Sequence, residues 1–178
     1  ARLFSVEEVG AYALLITSYL MAELLSNLGL DKIVIRELAK QNAESPDSRI
    51  VYSTIAFRLL SAIIAYLGCL LLVGWIYPDI MARYGMGAVV FFTTIPIVAF
   101  ARSLECIFMA RERMFFVALS QFCERLYVVL LLIAIWFLDL NFNFFLLLFP
   151  GAGLFRALVQ GAAFRWPKAP ENFGRYFF

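Results

Sequence analysis

Histidine is absent from this chain of 178 residues. Its absence removes the commonest general base, the usual pH switch near neutrality and the most frequent metal ligand together. Cysteine occurs three times, as Cys69, Cys106 and Cys123, each alone in an apolar run. That spacing offers no metal site, and a disulfide framework is not expected. Charge is scarce too: 16% of residues are Asp, Glu, Lys or Arg, and the net charge is +2. So small a balance lacks the basic footprint of a nucleic-acid binder, and no nucleic acid is expected among the partners. What remains assembles no nucleophile with an adjacent base, so the chain does not read as an enzyme and calls for no cofactor. There is no signal peptide, low-complexity segment or strand-like alternation.

Apolar residues fill the space. They make up 63% of the chain, Phe alone occurs 19 times, and mean hydropathy is +0.85. Soluble domains hold roughly half their residues as apolar ones, and runs near the roughly 18-residue threshold for a membrane helix recur here. The fold class that follows is all-α, a polytopic transmembrane helix bundle with five spans. The first runs over residues 9–40 and is expected to be one helix bent near Gly29. A polar loop follows, with Ser45 and Pro46 placed to start the next helix. The second span covers about 50–77 and is broken by Pro78 and Asp79. A short amphipathic piece, DIMARYGMG, leads into the third, about 88–109, where Pro96 predicts a kink. Arg111, Glu112 and Arg113 make a charged turn. The fourth span covers about 115–138. The fifth covers about 144–164 and is weakened near Pro150 and Gly151.

The first span carries a polar seam. Tyr19, Glu23, Asn27 and Asp31 recur at four-residue steps on an otherwise apolar helix, a pattern that suits a membrane protein with a polar interior. Arg58, Arg102, Arg125 and Arg156 lie within the later spans, eight to ten residues from one end of each. At 1.5 Å per residue they sit roughly 12–15 Å deep, about mid-bilayer. An arginine facing lipid there costs roughly 2.5 kcal/mol or more, so four at one depth are expected to face a shared interior. Thr54 and Ser61 flank Arg58, Thr94 and Glu105 share a face with Arg102, Gln121 and Glu124 cluster with Arg125, and Gln160 follows Arg156. Two readings stay open. The arginines line a positively charged cavity with Gln121 and Gln160, where Glu23, Glu105 and Glu124 act as counter-ions or proton sites. Alternatively, those three glutamates merely pair with arginines and hold the bundle, Arg102 with Glu105 within one helix. Glu124 and Arg125 are adjacent and point about 100° apart, so at most one faces the centre. Phe91, Phe92, Phe144, Phe145 and Phe178 are expected to face lipid. Tyr12, Tyr19 and Tyr127 are candidates for flanking sugar rings.

Positive residues set an orientation. Lys32, Arg36, Lys40, Arg49, Arg111, Arg113, Arg165, Lys168 and Arg175 fall on one side, against Arg2 and Arg83 on the other. The first side is expected to be cytoplasmic. Residue 1 then lies outside and the tail inside, which implies a further helix upstream.

ARLFSVEEVGAYAL followed by LLSNLGLDKIVIRELAK resembles the approach to the second membrane helix of polysaccharide flippases, in the multidrug/oligosaccharidyl-lipid/polysaccharide (MOP) transporter superfamily. The shared features are a basic start, an acidic turn, Gly-x-Tyr, Leu-Gly-Leu and an Arg-Glu pair. MARERMFFVALSQFCERLYVVLLLIA, residues 109–134, is similar to the same family's fourth-to-fifth helix turn. The resemblance implies that residues 1–178 form a single transmembrane lobe, helices two to six of a six-helix N-terminal lobe, in a two-lobe transporter of the bacterial plasma membrane. It implies a polyprenyl-pyrophosphate-linked oligosaccharide as substrate, flipped by alternating access. Expected partners are the bilayer, the second lobe of the same protein, and a polysaccharide polymerase or glycosyltransferases. A cation-coupled multidrug or metabolite exporter of the same superfamily is the first alternative, with an acidic cavity as its mark. A non-transporting membrane scaffold is the second.

Overall fold

The computed structural model describes residues 5–27, 29–40, 48–138 and 142–164. Arg2, the loop with Ser45 and Pro46, Asp139 and the tail with Arg165, Lys168, Arg175 and Phe178 lie outside the described residues. Among the described residues there are seven helices and no strand: α1 (Val6–Asn27), α2 (Leu30–Ala39), α3 (Ser48–Ile76), α4 (Pro78–Phe92), α5 (Thr94–Ala110), α6 (Met114–Leu138) and α7 (Phe142–Ala163). They make five stretches long and apolar enough to cross a membrane, with α4 and α5 joined as one of 33 residues. Their outward surfaces are unsuited to water: Leu71, Trp75, Phe137 and Leu158 are all more than 60% exposed. A soluble monomer does not display apolar surface on this scale, so the chain is a multi-pass membrane protein.

α1 begins three residues earlier than its hydropathy predicts. The Ser5 amide bonds Glu8 Oε2 at 2.8 Å while the Glu8 amide bonds Ser5 Oγ at 3.2 Å. This reciprocal capping box satisfies two amides that the first turn leaves unpaired. The expectation of one helix bent near Gly29 is corrected. Gly29 has φ +69° and ψ 11° and stands as the N-cap of a separate helix, α2. A right-handed helix cannot pass through that conformation, which side chains other than glycine's strongly disfavour. A Cβ at Gly29 would meet nothing within 4 Å, so the backbone angle and not crowding calls for glycine.

The kink in the third span is also displaced. Pro78 sits at the first position of α4, where its missing N–H is no loss, and DIMARYGMG is helical with a local kink at Tyr84 (φ −123°, ψ 18°). The interruption falls at Thr93, whose amide turns back to the Val90 carbonyl at 3.2 Å. Pro96, three residues later, cannot donate to Phe92 and its ring crowds that carbonyl. The break therefore appears on the N-terminal side of the proline. At the far end of α5 the amides of Glu112 and Arg113 return to the carbonyls of Met109 and Phe108 at 3.1 and 2.9 Å, with Glu112 left-handed at φ 57°. This is a Schellman-type stop with glutamate where glycine is usual. Arg111 lies 5.9 Å over the Phe164 ring, tying this turn to the end of α7.

Two apolar clusters form the core. One gathers Leu15, Ala62, Val73, Phe91, Phe92 and Leu146; the other gathers Val51, Ile55, Leu104, Ile107, Phe108 and Val117. Phe91 and Phe92 are fully buried, which corrects the expectation that they face lipid. Tyr19 and Phe149 stack edgewise on Phe91. Phe144 is exposed, and Phe145 packs against Tyr12 and Phe149. α7 runs through Pro150 without ending, and α6 seals against it. Tyr127 of α6 stacks on Phe155 at 5.7 Å, and its hydroxyl occupies the space a Cβ on Gly151 would need. Gly151→Ala is expected to destabilise the protein by about 1–3 kcal/mol through overpacking. Tyr127→Phe in the same chain should recover most of the loss, because the hydroxyl is the obstructing atom. Thermal unfolding of the purified variants checks both.

Candidate functional site

The polar residues sit where the two apolar clusters meet. On α3 Arg58 lies between Ile55 and Ala62; on α5 Arg102 lies between Ala99 and Leu104. Each helix is continuous there, so each buried charge is carried on a rigid element. The seam of α1 and α2 lies against the same level.

Arg58 is 1% exposed and pairs with Asp31 on α2. Its Nη2 also lies 3.5 Å from the Cys106 sulfur, itself 3.5 Å from Asp31 Oδ1. Ser61, one turn along α3, donates to the Ser26 carbonyl at 3.1 Å and so fastens α3 to the end of α1. The Nε and Nη1 donors of Arg58 have no partner among the described residues, a costly state for a buried cation. Asp31, read from the sequence only as part of the seam, is thus the partner of the most buried arginine.

Arg102 on α5 pairs with Glu23 on α1, their side chains 35% and 16% exposed. Tyr19, one turn before Glu23 on α1, lies within electrostatic reach of Glu23, Arg102 and Arg156. The pairing of Arg102 with Glu105 along one helix is therefore corrected: i,i+3 spacing permits it, yet a carboxylate on a facing helix captures the arginine.

Arg156 on α7 holds the third group. Its Nε bonds Glu105 Oε1 at 3.0 Å, and its Nη1 reaches Glu124 Oε2 at 3.3 Å. Gln160, fully buried one turn further along α7, donates from Nε2 to Glu105 Oε1 at 3.0 Å and to Ser120 Oγ at 2.9 Å. Gln121 stands at the margin, exposed, with its amide 3.5 Å from Glu105 Oε1. Arg125 does not join. It is exposed on α6 and forms no ion pair among the described residues, whereas its neighbour Glu124 reaches Arg156. The expectation that all four arginines point into the bundle is corrected on this point, because 100° of helical rotation separates the two residues.

Three of the four intramembrane arginines are each neutralised by at least one carboxylate on a facing helix, Arg58 with Asp31, Arg102 with Glu23, and Arg156 with Glu105 and Glu124. Within this chain the three arginines are held in ion pairs between helices. A groove of about 600 Å³, which no sequence pattern announces, lies between α1 and α3, lined by Met21, Leu25, Ile64 and Leu72 with Ser26 and Ser61 at its edge. Thr94, at the start of α5, donates to the Phe91 carbonyl near the end of α4 and is spent there. Among the described residues no cluster of three or more His, Cys, Asp or Glu side chains could hold a metal. Such pairing can hold helices in register, accept a charged group by exchanging partners, or both.

A family model described as "polysaccharide biosynthesis protein" matches residues 1–174. No curated protein and no solved structure matches the chain.

Proposed function

The chain belongs to the polysaccharide biosynthesis protein family of flippases, and on that premise we propose that it carries a polyprenyl-pyrophosphate-linked oligosaccharide across the bacterial plasma membrane. It acts as one lobe of a two-lobe transporter that works by alternating access and makes or breaks no bond. The observation that carries the reading is the family match over nearly the whole chain, joined to arginines within the apolar helices α3, α5 and α7. Arginine forks match phosphate oxygens in pairs. Arg102 is the natural first contact, being a third exposed and held by a single carboxylate. Arg58 and Arg156 are more deeply enclosed and become available only as helices part. The lipid tail stays in the bilayer while the head group moves; a polymerase or glycosyltransferases supply and consume the substrate.

In cells depleted of the protein, lipid-linked oligosaccharide should accumulate on the cytoplasmic leaflet, as judged by its protection from an impermeant glycosidase. Unchanged surface glycan with no accumulation removes the reading. Orientation is tested separately. Cysteine introduced at Ala43 should resist an impermeant thiol reagent in intact cells, and ready labelling reverses the topology. A second reading, a cation-coupled exporter of the same superfamily, is favoured by the two carboxylates gathered on Arg156. Export of cationic drugs without effect on glycan distinguishes it.

A further inference from the structure

The groove between α1 and α3 offers carbon along its length. Its walls, Met21 and Leu25 on α1 and Ile64 and Leu72 on α3, are each more than half exposed. Three of its hydroxyls are spent on backbone: Thr17 donates to the Ala13 carbonyl at 2.7 Å, Ser26 to that of Glu23 at 3.0 Å and Ser61 to that of Ser26 at 3.1 Å. Its volume of about 600 Å³ falls within the roughly 300–1,000 Å³ of pockets that hold one small ligand. Gly68 keeps the groove open. A Cβ there would meet nothing within 4 Å, so nothing in the fold crowds the position.

One end of the groove adjoins exposed positive charge. Ser61, at its edge, lies three residues from Arg58 on α3, and Arg58 pairs with Asp31 at the start of α2. Three residues advance a helix by about 4.5 Å, so α2 begins within about a turn of the groove's end. α2 is ten residues long and is not among the stretches that cross a membrane. Its buried side carries Val34 and Leu38. Its exposed side carries Lys32, Ile33 and Arg36, and the two cations, four residues apart, share one face. Lys40 is held by Glu37 at 2.8 Å. Lys32 forms no ion pair among the described residues, and Arg36 stands 3.8 Å from Glu37. A short helix with an apolar inner side and cations beside an exposed isoleucine suits the membrane–water interface.

An apolar groove that ends beside two exposed cations matches one ligand chemistry, an apolar chain with an anionic head. We propose that this surface binds an anionic phospholipid of the bilayer, one acyl chain lying between α1 and α3 and the phosphate held by Lys32 and Arg36. Lipid tails are as apolar as leucine, so the groove supplies shape and little driving force. Preference for this lipid over its neighbours comes from charge. The site uses none of the paired arginines of the interior and stands whatever the transporter's cargo.

The purified protein in detergent is titrated with phosphatidylglycerol and, separately, with phosphatidylcholine of the same acyl chains, and bound lipid is counted by native mass spectrometry. Phosphatidylglycerol should bind at least about tenfold more tightly, since each basic residue beside the head is worth roughly fivefold. Lys32→Gln with Arg36→Gln should bring the two lipids to one affinity. Gly68→Leu fills the groove and should weaken phosphatidylglycerol binding several-fold. Its Tm should not fall, because the new side chain has room and leucine favours a helix over glycine. Gly74→Leu, the same change at an equally open position of α3 outside the groove, should leave binding unchanged. Equal affinity of the wild type for the two lipids overturns the proposal and leaves these cations as determinants of orientation alone. So does phosphatidylglycerol binding that survives either Gly68→Leu or the paired change at Lys32 and Arg36. A polyprenyl phosphate that displaces phosphatidylglycerol at concentrations below the latter's own Kd also overturns it, by assigning the groove to the transported lipid.

Discussion

Arg156→Ala is expected to destabilise the protein by about 3–5 kcal/mol, the cost of leaving buried charge without its partner. The side chain is 12% exposed and serves two carboxylates that are themselves 9% and 17% exposed. Its removal strands both, and Glu105 keeps only amide donors from Gln160 and Gln121. The loss is electrostatic, so neutralising the carboxylates should reverse it: Arg156→Met with Glu105→Gln and Glu124→Gln should recover most of the stability. The midpoint of thermal unfolding in detergent reads the effect. An Arg156→Ala variant that melts with the wild type would show that α5, α6 and α7 are held by packing alone, through contacts such as Tyr127 on Gly151.

The second large effect falls on activity. Arg102→Ala alone mixes two losses, because it removes a candidate phosphate ligand and also strands Glu23. Arg102→Ala with Glu23→Ala separates them. The pair leaves and returns no charge to the interior, and with Arg102 a third exposed the net cost to stability should be within about 1 kcal/mol. The double variant of the complete transporter should insert and accumulate like the wild type, yet export of lipid-linked glycan should fall at least about tenfold, the worth of one charge-assisted contact. Arg102→Lys should retain part of the activity, since a point charge replaces the charge of the guanidinium fork but not its geometry. Full export by a well-accumulated double variant would assign Arg102 to helix pairing only.

Hydropathy made the spans legible because a lipid-facing helix must be apolar over its whole length, and length is what a window counts. The joints were less legible. Gly29 announced a disturbance, but whether a glycine bends a helix or leaves it depends on the sign of one backbone angle. Pro96 announced a kink whose effect surfaces at Thr93, since proline disturbs the turn before it. The place of each arginine could be counted along its own helix, and Arg58, Arg102 and Arg156 each meet a carboxylate from a facing helix. Their partners could not. Helical periodicity assigns a residue to a face of its own helix but does not say which helix lies opposite. The i,i+3 spacing of Arg102 and Glu105 therefore suggests a pair that Glu23 on a facing helix takes instead, and nothing in the spacing of Asp31 marks it as the partner of Arg58. Arg125 and Phe91 show the same limit in opposite directions: the arginine is exposed and the phenylalanine fully buried, against their polarity.

Transport itself is tested most directly in vesicles holding the complete purified transporter and a polyprenyl-pyrophosphate-linked oligosaccharide confined to one leaflet. The lipid should become accessible to an impermeant glycosidase on the opposite side, faster than in protein-free vesicles, with Arg102→Ala and Glu23→Ala together abolishing the difference. A transporter that leaves this lipid in place while moving organic cations would contradict the account.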